Sequence, residues 1–172
     1  MMTITRPEPS EFAPFYAGYI GKVTDSGPIK MLEDQIAEFD RLRDLNEDKA
    51  NHRYAEGKWT VKELVGHIAD GERVFSYRLV RIARGDKTPL AGFDENLWAK
   101  TAPHGRRRVA EVVNEMVAIR RSTFALVASL DEEALANTGV ANNNPVSARA
   151  LCWIMAGHAM HHLDILKDRY GV

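Results

Sequence analysis

Three of the six histidines in this sequence have a type and spacing that could hold a metal ion. His158 and His162 are four residues apart. On a helix that interval stacks two side chains one turn apart on one face, where their imidazoles can reach a single divalent ion at about 2.0 to 2.1 Å. At about 100° per residue, the apolar stripe of Leu151, Ile154, Met155, Ile165 and Leu166 is centred near both, so both are expected to point into a core. Either residue alone reads better as a satisfied core imidazole bonded to a neighbour. Two stacked together bring an ion level with that reading, because an imidazole buried without a partner costs on the order of 1 to 3 kcal/mol and one ion engages a nitrogen of each.

His67 is the third candidate. It lies two turns into another helix, on the flank of the stripe Val61, Leu64, Val65, Ile68, Phe75 and Leu79, about 10 Å from that helix's start. His158 and His162 lie roughly 10 to 18 Å from the end of theirs, so antiparallel helices would bring the three together. Three protein ligands leave coordination positions for water or substrate, the arrangement of a catalytic ion more than a structural one. His161 could replace His162 through i,i+3 spacing, but it points to the edge of the stripe and is read as a neighbour. There is no His-Glu-x-x-His, no paired Glu-x-x-His and no cysteine pair. Zinc or nickel suits imidazole best, ahead of iron or manganese.

Four periodic segments without internal proline can position these residues, at about Pro28 to Lys49, Thr60 to Arg84, Gly105 to Leu130 and Val146 to Tyr170. The second opens with the capping box Thr60-Val-Lys-Glu63. The third carries Val109, Val112, Val113, Met116, Ile119, Phe124 and Val127 on one broad stripe. The expected fold is all-α, a four-helix bundle, and strand alternation is nowhere convincing. Gly85 to His104, about 20 residues with Pro89, Gly92 and Pro103, reads as a long crossover that lets the second and third helices run parallel or covers a site. A short turn at Asp131 to Leu135 precedes an irregular Asn142-Asn-Asn-Pro145. Residues 1–27, with three prolines and Phe12, Phe15, Tyr16 and Tyr19, read as an N-terminal arm packed on the bundle.

The 172 residues fit one domain. Lys+Arg and Asp+Glu number 23 and 24, so no global field favours nucleic acid or an anionic membrane. The single cysteine, Cys152, cannot form an internal disulfide, and the first residues lack a signal core, so a soluble cytoplasmic protein is expected. Cys152 is off the histidine face and reads as a small buried hydrophobe. Glu72 falls within the apolar stripe of the second helix and must bond an imidazole, an arginine or a water. Asp70 could orient a ligand from the second shell or, by preference, fix a nearby loop. Glu72, Asp94 and His161 are the candidates for a catalytic base. Trp98, on the crossover, is the candidate substrate wall, whereas Trp59 and Trp153 read as packing anchors. Arg106-Arg107-Arg108 opens a helix against its dipole and reads as solvated unless an acidic neighbour is close.

Lys58-Trp59-Thr60-Val-Lys-Glu63-Leu-Val-Gly-His67-Ile-Ala-Asp70 and Gly157-His158-Ala-Met-His161-His162-Leu-Asp-Ile165 together resemble the DinB-like superfamily, especially its YfiT-like metalloenzymes. Phe93-Asp94-Glu95-Asn96-Leu-Trp98 is similar to that family's Tyr-Asp-Glu-x-x-Trp, with phenylalanine in place of the tyrosine. The resemblance spans nearly the whole chain. It implies a four-helix bundle, His67, His158 and His162 as ligands of a nickel or zinc ion, and frequent homodimers. It also implies, in some members, transfer of a small-molecule thiol such as bacillithiol, mycothiol or glutathione to an electrophile. Metal-dependent hydrolysis and a non-catalytic metal-binding or stress-response role are the alternatives.

Overall fold

The computed structural model describes residues 3–172. Its frame is four helices, Gly27–Asp40, Val61–Ala83, Val109–Ala128 and Ala148–Ile165. The capping box forms as expected: Thr60 Oγ1 accepts from the Glu63 amide at 3.1 Å, and Glu63 Oε2 accepts from the Thr60 amide at 2.8 Å. Ser147 caps the fourth helix through the Ala150 amide at 2.9 Å. The fourth helix then loosens into a π turn, Leu166–Tyr170, and stops at Gly171 with a φ of 64°.

The first helix stops earlier than its periodicity suggested. After Asp40 the chain makes a 3-10 turn, Arg41–Asp44, and a separate short helix, Glu47–Ala50. Asn46 causes the break, since its side chain accepts from the Lys49 amide at 2.8 Å and so caps a new start. That turn aims Glu47 at Lys62 Nζ, 3.1 Å away, and at the Val109 amide, 2.8 Å away, joining the starts of the second and third helices.

The first helix packs on the third and fourth, and the second packs on the same two. Direction follows from cross-helix partners. Lys62 donates to the Arg107 carbonyl and Arg73 pairs with Glu115, so the second and third helices run parallel, and residues 84–108 must cross the length of the bundle. Gln35 donates to the Ala156 carbonyl and Arg41 to that of Val172, so the first and fourth run together.

Two connections hold more structure than the sequence suggested. The crossover contains a helix, Glu95–Thr101, capped by the Asp94 carboxylate on the amides of Asn96 and Leu97. Residues 142–145, read as irregular, and Val146 and Ser147, read as the start of the fourth helix, belong to a hairpin of Thr138–Ala141 with Asn144–Ser147. Its two turn residues, Asn142 and Asn143, have φ of 49° and 59°, as a tight turn with the twist of the flanking strands requires. Leu90 of the crossover bonds this hairpin on both sides, its amide to the Val140 carbonyl and its carbonyl to the Asn142 amide, each at 2.9 Å. The arm lies on the bundle: Ile4, Phe12, Ala13 and Ile20 are buried, Glu11 pairs with Arg149, and Trp153 Nε1 donates to the Ile4 carbonyl. No described helix is long and apolar enough to cross a membrane.

Arg120 is fully buried between the helices. It donates to Glu72 Oε2 at 2.6 Å and to Gln35, and lies over the Phe39 ring. This places a charge-assisted tie across the first three helices, with Gln35 extending it to the fourth. Arg120→Ala is expected to lower the unfolding free energy by about 3 to 5 kcal/mol in urea titrations, because it strands the Glu72 charge. The double exchange Arg120→Met with Glu72→Leu is expected to cost far less, since a buried ion pair replaced by apolar groups is often neutral.

Candidate metal centre

The second and fourth helices are antiparallel where the histidines lie. His67 is level with His162, and one turn on, Gly71 is level with His158. His67 Nε2 is 3.2 Å from His162 Nε2, which is 3.1 Å from His158 Nε2. All three residues are buried, and their ligand atoms lie within 4.8 Å of one another. Two nitrogens about 2.05 Å from one ion at tetrahedral or octahedral angles sit about 2.9 to 3.3 Å apart, so both spacings fit a shared divalent ion.

Hydrogen bonding alone serves this cluster poorly. A neutral imidazole carries on Nε2 either a proton or a lone pair, so His162 cannot donate to one neighbour and accept from the other there. Its Nδ1 is buried with no partner. Burial also keeps the rings uncharged. It pushes His67 down to about 4 and His158 to about 3, and His162 is driven lower still by burial and by the adjacent rings. Unprotonated imidazoles are the form that binds metal.

Aromatic contacts fix the ring planes. Trp59 lies over His67 with centroids 4.6 Å apart, Tyr19 meets His158 edge-on at 5.3 Å, and Phe75 does so at 5.6 Å. Gly71 permits this approach, because a Cβ there would stand 3.3 Å from His158 Cε1. Cavities flank the cluster on two sides. One of about 310 Å³ is walled by His67, His158, Tyr16, Tyr19, Phe75 and Arg78, and closed by Phe93 and Glu95 of the crossover and Asn142 of the hairpin. The other, about 280 Å³, meets His162 with Trp59, Tyr54 and Tyr170.

The remaining sequence candidates lie elsewhere. Asp70 accepts from His104 Nε2 at 3.0 Å and pairs with Arg73, so it fixes the crossover and orients no member of the cluster. Glu72 is paired through Oε2 with Arg120 and its buried Oε1 meets no partner, so of the partners considered for it the structure shows the arginine and no imidazole. Asp94 caps the crossover helix and is not among the cavity walls. Trp98 packs on Phe93 and lines a separate cleft above Asp70 and His104, so it is no wall of the histidine cavity. His161 is half-buried beside Tyr19 and His162, off the cluster. The arginine run does have acidic neighbours, Glu115 for Arg107 and Glu111 for Arg108. Cys152 is buried, and burial pushes its thiol up to about 12.

Sequence reasoning passed over Glu95, Arg78 and His104. His104 lies against Gly66, where a Cβ would fall 2.2 Å from its ring. Glu95 stands in the motif of residues 93–98 but carries no role on sequence, because the segment reads as loop. Arg78 carried a usable signal, since His67, Gly71, Phe75 and Arg78 follow one face at intervals of four, four and three.

Residues 31–166 match the model of the DinB superfamily. The chain belongs to that superfamily. A relative from Oceanobacillus iheyensis, provisionally named metal-dependent hydrolase OB0413, is 29% identical over 128 residues, 73% of each chain. Another from Bacillus mycoides, with the same kind of name, is 27% identical over 163 residues, 88% of this chain and 91% of its own. Among solved structures, YfiT from Bacillus subtilis, described as a four-helix bundle of unusual topology, superposes with a TM-score of 0.71 at 14% identity over 97% and 94% of the two chains. The mycothiol-dependent maleylpyruvate isomerase does so at 0.67 and 13%, over 84% of this chain and 61% of that one. At such identities the likeness to these two structures is one of fold.

The depressed histidines set an acid limit on the metal-free protein. Unfolding restores their ordinary value of 6.5, so the unfolded chain binds more protons between pH 6.5 and about 4. With a chelator present, stability is expected to be full above pH 6.5 and to fall toward pH 4, by on the order of 3 kcal/mol through His67. Urea midpoints across that range check this, and His67→Ala is expected to make the fall shallower without abolishing it, since His158 and His162 are depressed as well.

Proposed function

We propose that the protein is a metal-dependent enzyme in which His67, His158 and His162 hold one divalent ion, nickel or zinc, and that it transfers a small-molecule thiol to an electrophilic substrate. The observation that carries this reading is the donor set, three neutral imidazoles with no carboxylate or thiolate among them, beside a cavity. Neutral ligands leave the charge of an ion undiminished. Such an ion would supply a Lewis-acid site at which a thiol or a water molecule loses its proton.

The chain's own residues have separate tasks. Burial holds the imidazoles unprotonated, and Trp59, Phe75 and Tyr19 fix their planes and limit water. Tyr16 and Tyr19, both raised by burial, keep their phenolic protons and can donate to an oxygen or leaving group of the electrophile. Glu95 is the carboxylate that shares this cavity and is placed to accept a proton from a substrate there. With Cys152 buried and its thiol at about 12, the sulfur nucleophile must come from outside the chain. The names of the relatives favour a second reading, hydrolysis with water in the place of the thiol.

The purified protein is expected to carry one equivalent of metal by mass spectrometry. It is then assayed with a panel of thiols against a chlorinated or epoxide acceptor, beside a panel of esters. His158→Ala should lose metal and at least about a hundredfold in activity with its helical circular dichroism intact. Full activity in the metal-free protein would remove the proposal, and ester turnover without thiol conjugation would select hydrolysis. Glu95→Gln is expected to lower kcat by about 10²-fold or more while metal content stays constant.

A further inference from the structure

Among the described residues three cationic side chains are buried, Lys62, Arg78 and Arg120. Two have carboxylates at hand, Glu47 for Lys62 and Glu72 for Arg120. Arg78 is paired with none, although Glu95 borders the same cavity. It is 3% exposed, its Nη2 donates to the Ala91 carbonyl at 2.7 Å, its guanidinium also meets the Tyr16 hydroxyl and the Phe75 ring, and its Nε has no partner. A buried guanidinium without a paired carboxylate is costly to the fold, so its retention beside a cavity suits an anion that arrives from outside.

We infer that Arg78 anchors a carboxylate of the substrate, and that the enzyme acts on organic acids whose apolar body lies against Phe75 and Phe93 and whose reacting group lies at the histidines. The inference rests on the metal-centre reading above and names the substrate class of that site. Arg78 follows His67 by eleven residues on one helix face, about 16 Å of rise, and helical side chains lean back toward the N-terminus. The anion and the reacting atom are thus held at opposite ends of the ligand, with the aromatic rings between. A planar monoanion suits one guanidinium, which offers two parallel donors to a carboxylate. A phosphate dianion would need a second cation, and the further charged group in this cavity is the acidic Glu95.

The test is calorimetric titration of the metal-loaded protein with 4-phenylbutyrate and its neutral amide, 4-phenylbutyramide. The acid is expected to bind about tenfold tighter or more. Arg78→Met should bring the two within about twofold and leave the melting temperature of the ligand-free protein unchanged or higher. Equal binding to the wild type overturns the assignment. So does a preference that survives Arg78→Met, which would credit the ion, or a variant that melts lower with the preference intact. Should that variant fail to fold, the wild-type ¹⁵N spectrum decides, since the Arg78 Nε–H resonance must shift with the acid and not with the amide. Binding is read without turnover, so lost activity with the preference intact defeats the transferase reading alone, and an active enzyme indifferent to the carboxylate defeats this one alone.

Discussion

The antiparallel register of the second and fourth helices governs the rest of this structure. A slide of one turn would place His162 opposite Leu64 or Gly71 in place of His67, and no common point for three imidazoles would remain. Several contacts hold the register. Gly71 lets the His158 ring approach the second helix, while Gly157 seats the arm on the fourth, where a Cβ would meet the Tyr19 carbonyl at 1.9 Å. On the opposite faces Arg120, Glu72 and Gln35 bind the helices together through charge-assisted bonds with no water to weaken them.

That register has consequences for the crossover. Because the second and third helices are parallel, the chain between them must return along the whole bundle, and it is fastened on the way. His104 bonds Asp70 and rests on Gly66, the residue before His67. Leu90 joins the hairpin. Phe93 and Glu95 are thereby brought over the cavity that the imidazoles face. The cluster itself stands on the helices of the frame, while the outer walls of its cavity come from the arm, the crossover and the hairpin. Such a division suits a fixed metal centre beside a surface that adapts to its ligand.

Charge is distributed to the same end. The cluster is made entirely of groups that burial keeps neutral, and its nearest buried carboxylate, Glu72, is bound to Arg120. The cavity's formal charges are Arg78 and Glu95, which border the same space without forming a salt bridge. A ligand therefore meets one cation, one anion and aromatic surface between them.

The amino-acid sequence by itself determined the frame and the three histidines. Their i,i+4 spacing, the position of His67 after a capping box and the apolar stripes are periodic, local features, and local periodicity survives folding unchanged. The break at Asn46 and the turn at Asn142-Asn143 were also local, but each turns on one side chain or backbone conformation that periodicity does not register. Only the tertiary structure decided the partners of the charged residues. Asp70, Glu72, Asp94, Glu95 and Arg78 could each have faced the imidazoles on spacing alone. Which one does depends on groups 13 to 48 residues distant, such as Ala91 for Arg78 and Arg120 for Glu72, and on how strongly each competes for a buried charge.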